Sequence, residues 1–208
     1  MKAVITADIV NSTKILDKDR KLLSEILDKI IQKLQFVGML RCEMYRGDSF
    51  QVLVEDYQYA IKIAILIRLG LIKSNLLGKA KLDARMVIGI GDVSYEDNKI
   101  ILSDGEAFRL SGRAFDSLGK KRILLATNNI EVDRQLNLLL AFIDDILLHI
   151  SISQSRCLYE SLLLNLPQKD IAKMLGMTQP NVAKLFKASK EVLFREFLGY
   201  AEEELSKI

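Results

Sequence analysis

Two aspartates, Asp8 and Asp48, stand where short apolar runs stop, and that placement is the chemically suggestive feature of the N-terminal half. The run K-A-V-I-T-A-D-I-V is short and rich in β-branched residues. It reads as a buried strand over Ala3–Ile9 with a carboxylate near its C-terminal end. Tyr45–Val54, Y-R-G-D-S-F-Q-V-L-V, reads as a hairpin arm turning at Gly47-Asp48. If these strands are neighbours the two carboxylates converge, and a pair of like charges is most simply held by a hard divalent cation such as Mg²⁺. Taken singly, each residue also fits a plainer role, Asp8 as a helix cap and Asp48 as a Gly-Asp turn residue.

A second chemistry lies near the C-terminus in Gln168–Lys187, Q-K-D-I-A-K-M-L-G-M-T-Q-P-N-V-A-K-L-F-K. Ala172 is small where two helices must cross, and Gly176 suits a left-handed turn four residues later. Ile171, Leu175 and Val182 would form a small core, with Leu185 packing the second helix back on the first. Gln179 and Pro180 start that second helix, proline being suited to the first turn. Its outer side would carry Thr178, Gln179, Asn181, Lys184 and Lys187, side chains that read base edges or neutralise phosphates. Five lysines face one aspartate between Lys169 and Lys190, a field of the right sign for DNA. A plain helical hairpin is the alternative.

The elements that must position these residues alternate through the first half. Asn11-Ser12-Thr13 suits the start of a helix over Lys14–Val37, whose Leu22, Leu23, Ile26, Leu27, Ile30, Ile31 and Leu34 recur at three- and four-residue steps. A hairpin over Leu40–Val54 follows, and Asp56 is placed to cap a helix over Tyr57–Ser74. That helix is apolar nearly all round, so something must cover it on both sides. Leu82–Val93 reads as a strand whose glycines admit another backbone closely. Ser94–Asn98 reads as a turn and Lys99–Leu102 as a returning strand. Asp104-Gly105 opens a helix over Glu106–Leu118, and Arg122–Ala126 is a last strand. The order argues an α+β sandwich with helices against a partly antiparallel sheet. Beyond Asn128-Asn129 strand signals vanish, which divides the chain into an α/β domain over 1–128, a connecting helix over 129–152 and a helical domain over 153–208.

The totals narrow the class. Half of the 208 residues are hydrophobic, which argues against disorder, and a net charge of +3 makes local patches more telling than the sum. Cys42 and Cys157 have no paired spacing and His149 is the only histidine, so neither a disulfide framework nor a zinc site is expected, and a reducing cytoplasm is. No long uncharged apolar run suggests secretion or membrane spanning.

The succession A-D-I-V-N-S-T, R-G-D-S-F-Q-V-L-V, R-M-V-I-G-I-G-D-V and D-G-E-A-F-R-L-S-G-R-A resembles, in order and spacing, the catalytic domain of class III nucleotidyl cyclases. The likeness covers about Met1 to Ala126. It implies a ferredoxin-like βαββαβ core, and the arrangement also resembles SatD-like bacterial proteins. On this resemblance Asp8 and Asp48 match the metal-binding aspartates and the Ile9 carbonyl a backbone ligand. Arg113 matches the arginine that stabilises developing charge from a head-to-tail partner, which implies a homodimer and a nucleoside triphosphate. The chain departs from the pattern at three positions: Arg109 replaces an asparagine, Ser111 a small alanine, and Met44 the base-reading lysine. Such departures imply binding without turnover or an altered substrate, and Arg109 would add a phosphate contact. The segment 153–208 resembles the helix-turn-helix of bacterial regulators.

The resulting expectation is a nucleotide-responsive DNA-binding regulator with a degenerate cyclase-like domain. The alternatives are an active Mg²⁺- or Mn²⁺-dependent cyclase or nucleotidyltransferase tethered to a helix-turn-helix, and an adaptor whose helices bind protein.

Overall fold

β1 (Lys2–Val10) is apolar at six of its nine positions and has a strand on each side. The computed structural model describes residues 1–15, 19–45, 47–76 and 81–208. After β1 come α1 (Arg20–Leu34), β2 (Leu40–Tyr45), β3 (Ser49–Val54), α2 (Ala60–Ser74), β4 (Asp83–Gly91), β5 (Val93–Tyr95), β6 (Asp104–Gly105), α3 (Glu106–Asp116) and β7 (Ile123–Ala126). Only helices follow: α4 (Ile130–His149), α5 (Ile152–Leu164), α6 (Gln168–Leu175), α7 (Gln179–Ser189) and α8 (Glu191–Leu205). The main sheet has the order β2-β3-β1-β4-β7, antiparallel except for the parallel β4–β7 edge. This is the split βαββαβ arrangement, with β7 added as a fifth strand.

Alternation along the strands sorts residues onto two faces. Ala3, Ile5, Ala7 and Ile9 of β1 join Phe50, Val52, Met86 and Ile88 under α1 and α2. The opposite face carries Val4 and Leu53, which meet Ile100 and Ala107. There α3 lies directly on the sheet, because Gly89 of β4 has no side chain. A Cβ at Gly89 would come within 2.3 Å of the Ala107 carbonyl oxygen and 2.5 Å of the Ser111 nitrogen. The close backbone approach expected from the strand glycines is found here.

α2 is buried along nearly its whole length, as its apolar circumference requires. One side meets β1 and β4, and the other is covered by α5 and α8 through Leu158, Leu162, Phe194 and Leu198. A single hydrophobic core therefore runs from the sheet through α2 into the C-terminal helices. Each fully buried aliphatic or aromatic side chain contributes roughly 1.5–3 kcal/mol, so core packing rather than a tether joins the halves. Arg68 interrupts the apolar surface of α2 at full burial. Its Nε and Nη2 donate to Asp83 at 2.9 and 3.0 Å, and its Nη1 to Asp144 of α4 at 2.8 Å. Arg122 also binds Asp83, at 2.6 Å.

Several sequence expectations are corrected. The first helix begins at Arg20, not Lys14: Ser12–Lys14 is a single 3₁₀ turn and Ile15 is extended. Residues 16–18 of that expected helix lie outside the described residues, as does Arg46 of the hairpin motif. The helix ends at Leu34 rather than running to Val37. Asp56 makes no side-chain cap, and a 3₁₀ turn at Tyr57–Tyr59 precedes α2. The expected returning strand Lys99–Leu102 is a 3₁₀ turn instead, because Ile100 alone is buried while Ile101 and Leu102 face solvent. The strand that returns is β6, which pairs with β5. Leu22, expected on a packing face, is 41% exposed.

Candidate functional site

Strand register decides which polar groups meet. Asp8 lies opposite Ser49 on β3 and opposite Arg85 on β4, and Ser49 lies opposite Tyr45 on β2. Opposed residues in an antiparallel ladder share a face, so Tyr45, Ser49, Asp8 and Arg85 form one row across four strands. Glu43, Gln51 and Thr6 form the next row on the same face. Most of these side chains are half-buried, which makes a polar floor beside α3. Within it, Ser49 Oγ donates to Asp8 Oδ1 at 3.3 Å, and Gln51 Nε2 donates to Thr6 Oγ1 at 3.3 Å. Thr6 and Ser111 join their hydroxyls at 2.9 Å, which fixes α3 to the floor.

The hairpin turn brings Asp48 alongside. Gly47 takes φ +80°, and the Ile9 amide donates to the Asp48 carbonyl at 2.9 Å. Asp8 and Ile9 therefore lie near the end of β1, and Asp48 in the turn that leads into the adjacent β3. These are hard oxygen donors of the kind Mg²⁺ takes. Among the described residues, however, no group of three His, Cys, Asp or Glu side chains gathers as a metal cluster. Asp8 is also engaged, with Arg85 Nη2 and Nε donating to its Oδ2 at 3.2 and 3.3 Å. The Asp8 side chain is 24% exposed and that of Arg85 44%, so the pair contributes about 1 kcal/mol or less. A cation would therefore displace a weak partner.

The two arginines of α3 stand apart from this row. Ser111 and Phe115, four residues apart, face the sheet: Ser111 bonds Thr6, and Arg85 stacks 5.3 Å from the Phe115 ring centre. Arg109 and Arg113 are also four apart, two residues out of phase, so helical geometry turns them to the outer side. Arg109 is held there by Asp104 at 2.9 and 3.1 Å. Arg113 is exposed and forms no hydrogen bond or ion pair among the described residues.

Three residues of this region are not singled out by sequence reasoning: Arg85 and Ser49, which lie inside the cyclase-like motifs, and Arg20, whose guanidinium lies next to Gly47 of the hairpin turn. A strand register is needed to find Arg85, since only the β1–β4 pairing sets it against Asp8.

The second candidate surface is on α7. Gly176 takes φ +65° and ends α6, and residues 177–178 lead into α7 with Pro180 in its first turn. Ile171, Ala172, Val182 and Phe186 pack with Cys157 of α5 into a small separate core. That packing turns Thr178, Gln179, Asn181, Lys184 and Lys187 outward, all exposed. Lys169, Lys173 and Lys190 are exposed nearby. None of these five lysines is in an ion pair among the described residues.

No family model matches the chain, and neither does any curated protein. Among solved structures it is similar to the guanylyl cyclase Cya2, at 18% identity over 60% of this chain and 73% of that one, with a TM-score of 0.45. It is also similar to the GGEEF domain of a diguanylate cyclase from Vibrio cholerae, at 18% identity over 62% and 83%, with a TM-score of 0.42. A bacterial light-regulated adenylyl cyclase matches at 13% identity over 60% of this chain and 42% of that one, with a TM-score of 0.40. No helix among the described residues is long and apolar enough to cross a membrane.

Proposed function

We propose that this protein is a DNA-binding regulator whose α/β domain binds a nucleoside triphosphate with Mg²⁺ between the protomers of a homodimer. The observation that carries the reading is the outer face of α7, which joins exposed Gln179 and Asn181 to lysines with no acidic partner among the described residues. Amide side chains read adenine edges and lysines neutralise phosphates. A homodimer would set two such helices about one duplex turn apart on a two-fold site. Asp8, Ile9 and Asp48 would hold the cation. Arg113, turned away from its own Asp8, would serve the partner's nucleotide.

The test is fluorescence anisotropy of the full chain on a pool of random duplexes, with rounds of selection and a salt series. Binding that enriches a palindrome and weakens linearly in log salt supports the reading. Failure to bind any duplex at low salt sinks it.

Turnover of the nucleotide is the second reading, supported by the Ile9–Asp48 backbone hydrogen bond that sets Asp48 beside the end of the strand carrying Asp8. Incubation with each triphosphate and Mn²⁺, followed by assay for pyrophosphate and cyclic product, separates the two. Product that disappears in Asp48→Ala makes the protein an enzyme, whereas tight binding with no product makes it a sensor.

A further inference from the structure

Away from both surfaces, a cavity of about 380 Å³ opens between α1, α2 and α5. Ile26, Ile30 and Gly70 give it an apolar part. Gly70 lies where α1 crosses α2, and a Cβ there would come within 2.8 Å of Ile30. Around this part stand Lys29, Lys33, Lys73 and Arg156, with Glu160 as the lone carboxylate.

Lys73 donates to Glu160 at 2.7 Å, and its ammonium lies 3.4 Å from the centre of the Tyr159 ring. Lys29, Lys33 and Arg156 are exposed and have no ion pair among the described residues. Burial depresses the Lys73 ammonium, which Glu160 opposes, and the charges of Lys33 and Arg156 depress it further. Lys33 and Arg156 thus line the same cavity as Lys73 and act on its charge, partly offset by Glu160. Tyr159, also in the lining, is fully buried, and its hydroxyl is the one buried side-chain polar atom without a hydrogen-bond partner among the described residues.

We propose that this cavity binds a small organic phosphate, its anionic group among Lys33, Lys73 and Arg156 and its apolar or aromatic body against Ile26, Ile30 and Gly70. A dianion relieves the mutual repulsion of the cations, and a guanidinium with two ammonium groups supplies the charge-assisted donors that phosphate takes. The apolar lining gains nothing from bare phosphate, so the ligand must carry a body. Because α1 and α2 pack on the sheet and α5 leads to the α6–α7 unit, the ligand would bridge the two halves of the chain.

The experiment titrates phenyl phosphate into the isotope-labelled full chain and follows amide NMR shifts, with inorganic phosphate and benzyl alcohol titrated in parallel. Phenyl phosphate is expected to saturate with shifts confined to α1, α2 and α5, and to bind more tightly than either control. Lys33→Glu and Arg156→Glu, both at exposed positions that leave the core intact, are each expected to weaken it by roughly tenfold or more, with folding checked by circular dichroism. Unsaturable shifts, shifts centred on α7, or affinity unchanged in both variants would overturn the proposal. Inorganic phosphate binding as tightly as phenyl phosphate would overturn the assignment of an organic ligand.

Discussion

Asp8 and Arg85 face each other across the β1–β4 ladder, and the guanidinium donates two hydrogen bonds to one carboxylate oxygen. A cation bound by Asp8 must compete with this arginine. Arg85→Ala is therefore expected to tighten Mn²⁺ binding roughly two- to fivefold, the equivalent of a weak exposed ion pair. Electron paramagnetic resonance of free Mn²⁺ measures it. Unchanged or weaker binding would remove Asp8 from the metal site.

Arg68 is the opposite case, an arginine held by Asp83 and Asp144 at full burial. Arg68→Ala would leave Asp144 without its guanidinium and Asp83 with Arg122 alone. Breaking such a buried pair costs about 3–5 kcal/mol, read from the midpoint of urea unfolding. A loss below about 1 kcal/mol would mean the network relaxes or hydrates freely.

Two glycines of the α3 region predict changes of opposite sign. Gly89→Ala drives a Cβ against the Ala107 carbonyl, so α3 must lift from the sheet, at about 1–3 kcal/mol. Gly112, inside α3, has open space where a Cβ would stand, with nothing within 4 Å. Gly112→Ala should therefore stabilise by about 0.5–1 kcal/mol through helix propensity. Thermal unfolding of the two variants side by side checks both signs.

On α7 the roles of lysine and amide separate by experiment. Replacing Lys184 and Lys187 together by Ala is expected to weaken DNA binding across all sequences and to lower the salt slope by about 2. Asn181→Ala should instead cost about 1–3 kcal/mol on the selected site and relax preference at one base position. Equal losses on every duplex from Asn181→Ala would assign it to the backbone.

Burial, with the nearby carboxylates of Asp28 and Glu43, pushes the Cys42 thiol up to about 12. Alkylation requires the thiolate, so iodoacetamide should label Cys42 very slowly at pH 8 and about tenfold faster per pH unit up to that value. Rapid labelling of the native protein at neutral pH would contradict the buried setting.

The hairpin over Leu40–Val54 and the turn at Gly176 are legible in the sequence because glycine and strand alternation leave few alternatives there. The same holds for α2, whose nearly continuous apolar surface demands cover on two sides. The start of α1 is not legible: Asn11-Ser12-Thr13 has cap chemistry, but Asn11 takes the left-handed region and Ser12–Lys14 makes a 3₁₀ turn. Ile100–Leu102 resembles a strand because three apolar residues satisfy either period, and only the contact of Ile100 with Leu53 decides between them. Asp8 is recognisable from its place at a strand end. Its partner Arg85 sits 77 residues away and becomes visible only with the register.

The sandwiching of α2 also sets how any signal would move. With the sheet on one flank and α5 and α8 on the other, the α6–α7 unit hangs on no slack leash whose reach a ligand could lengthen or shorten. Displacement at the strand ends would have to travel as a tilt of a stiff body, so half-site preference, rather than overall grip on DNA, is where its effect would be felt.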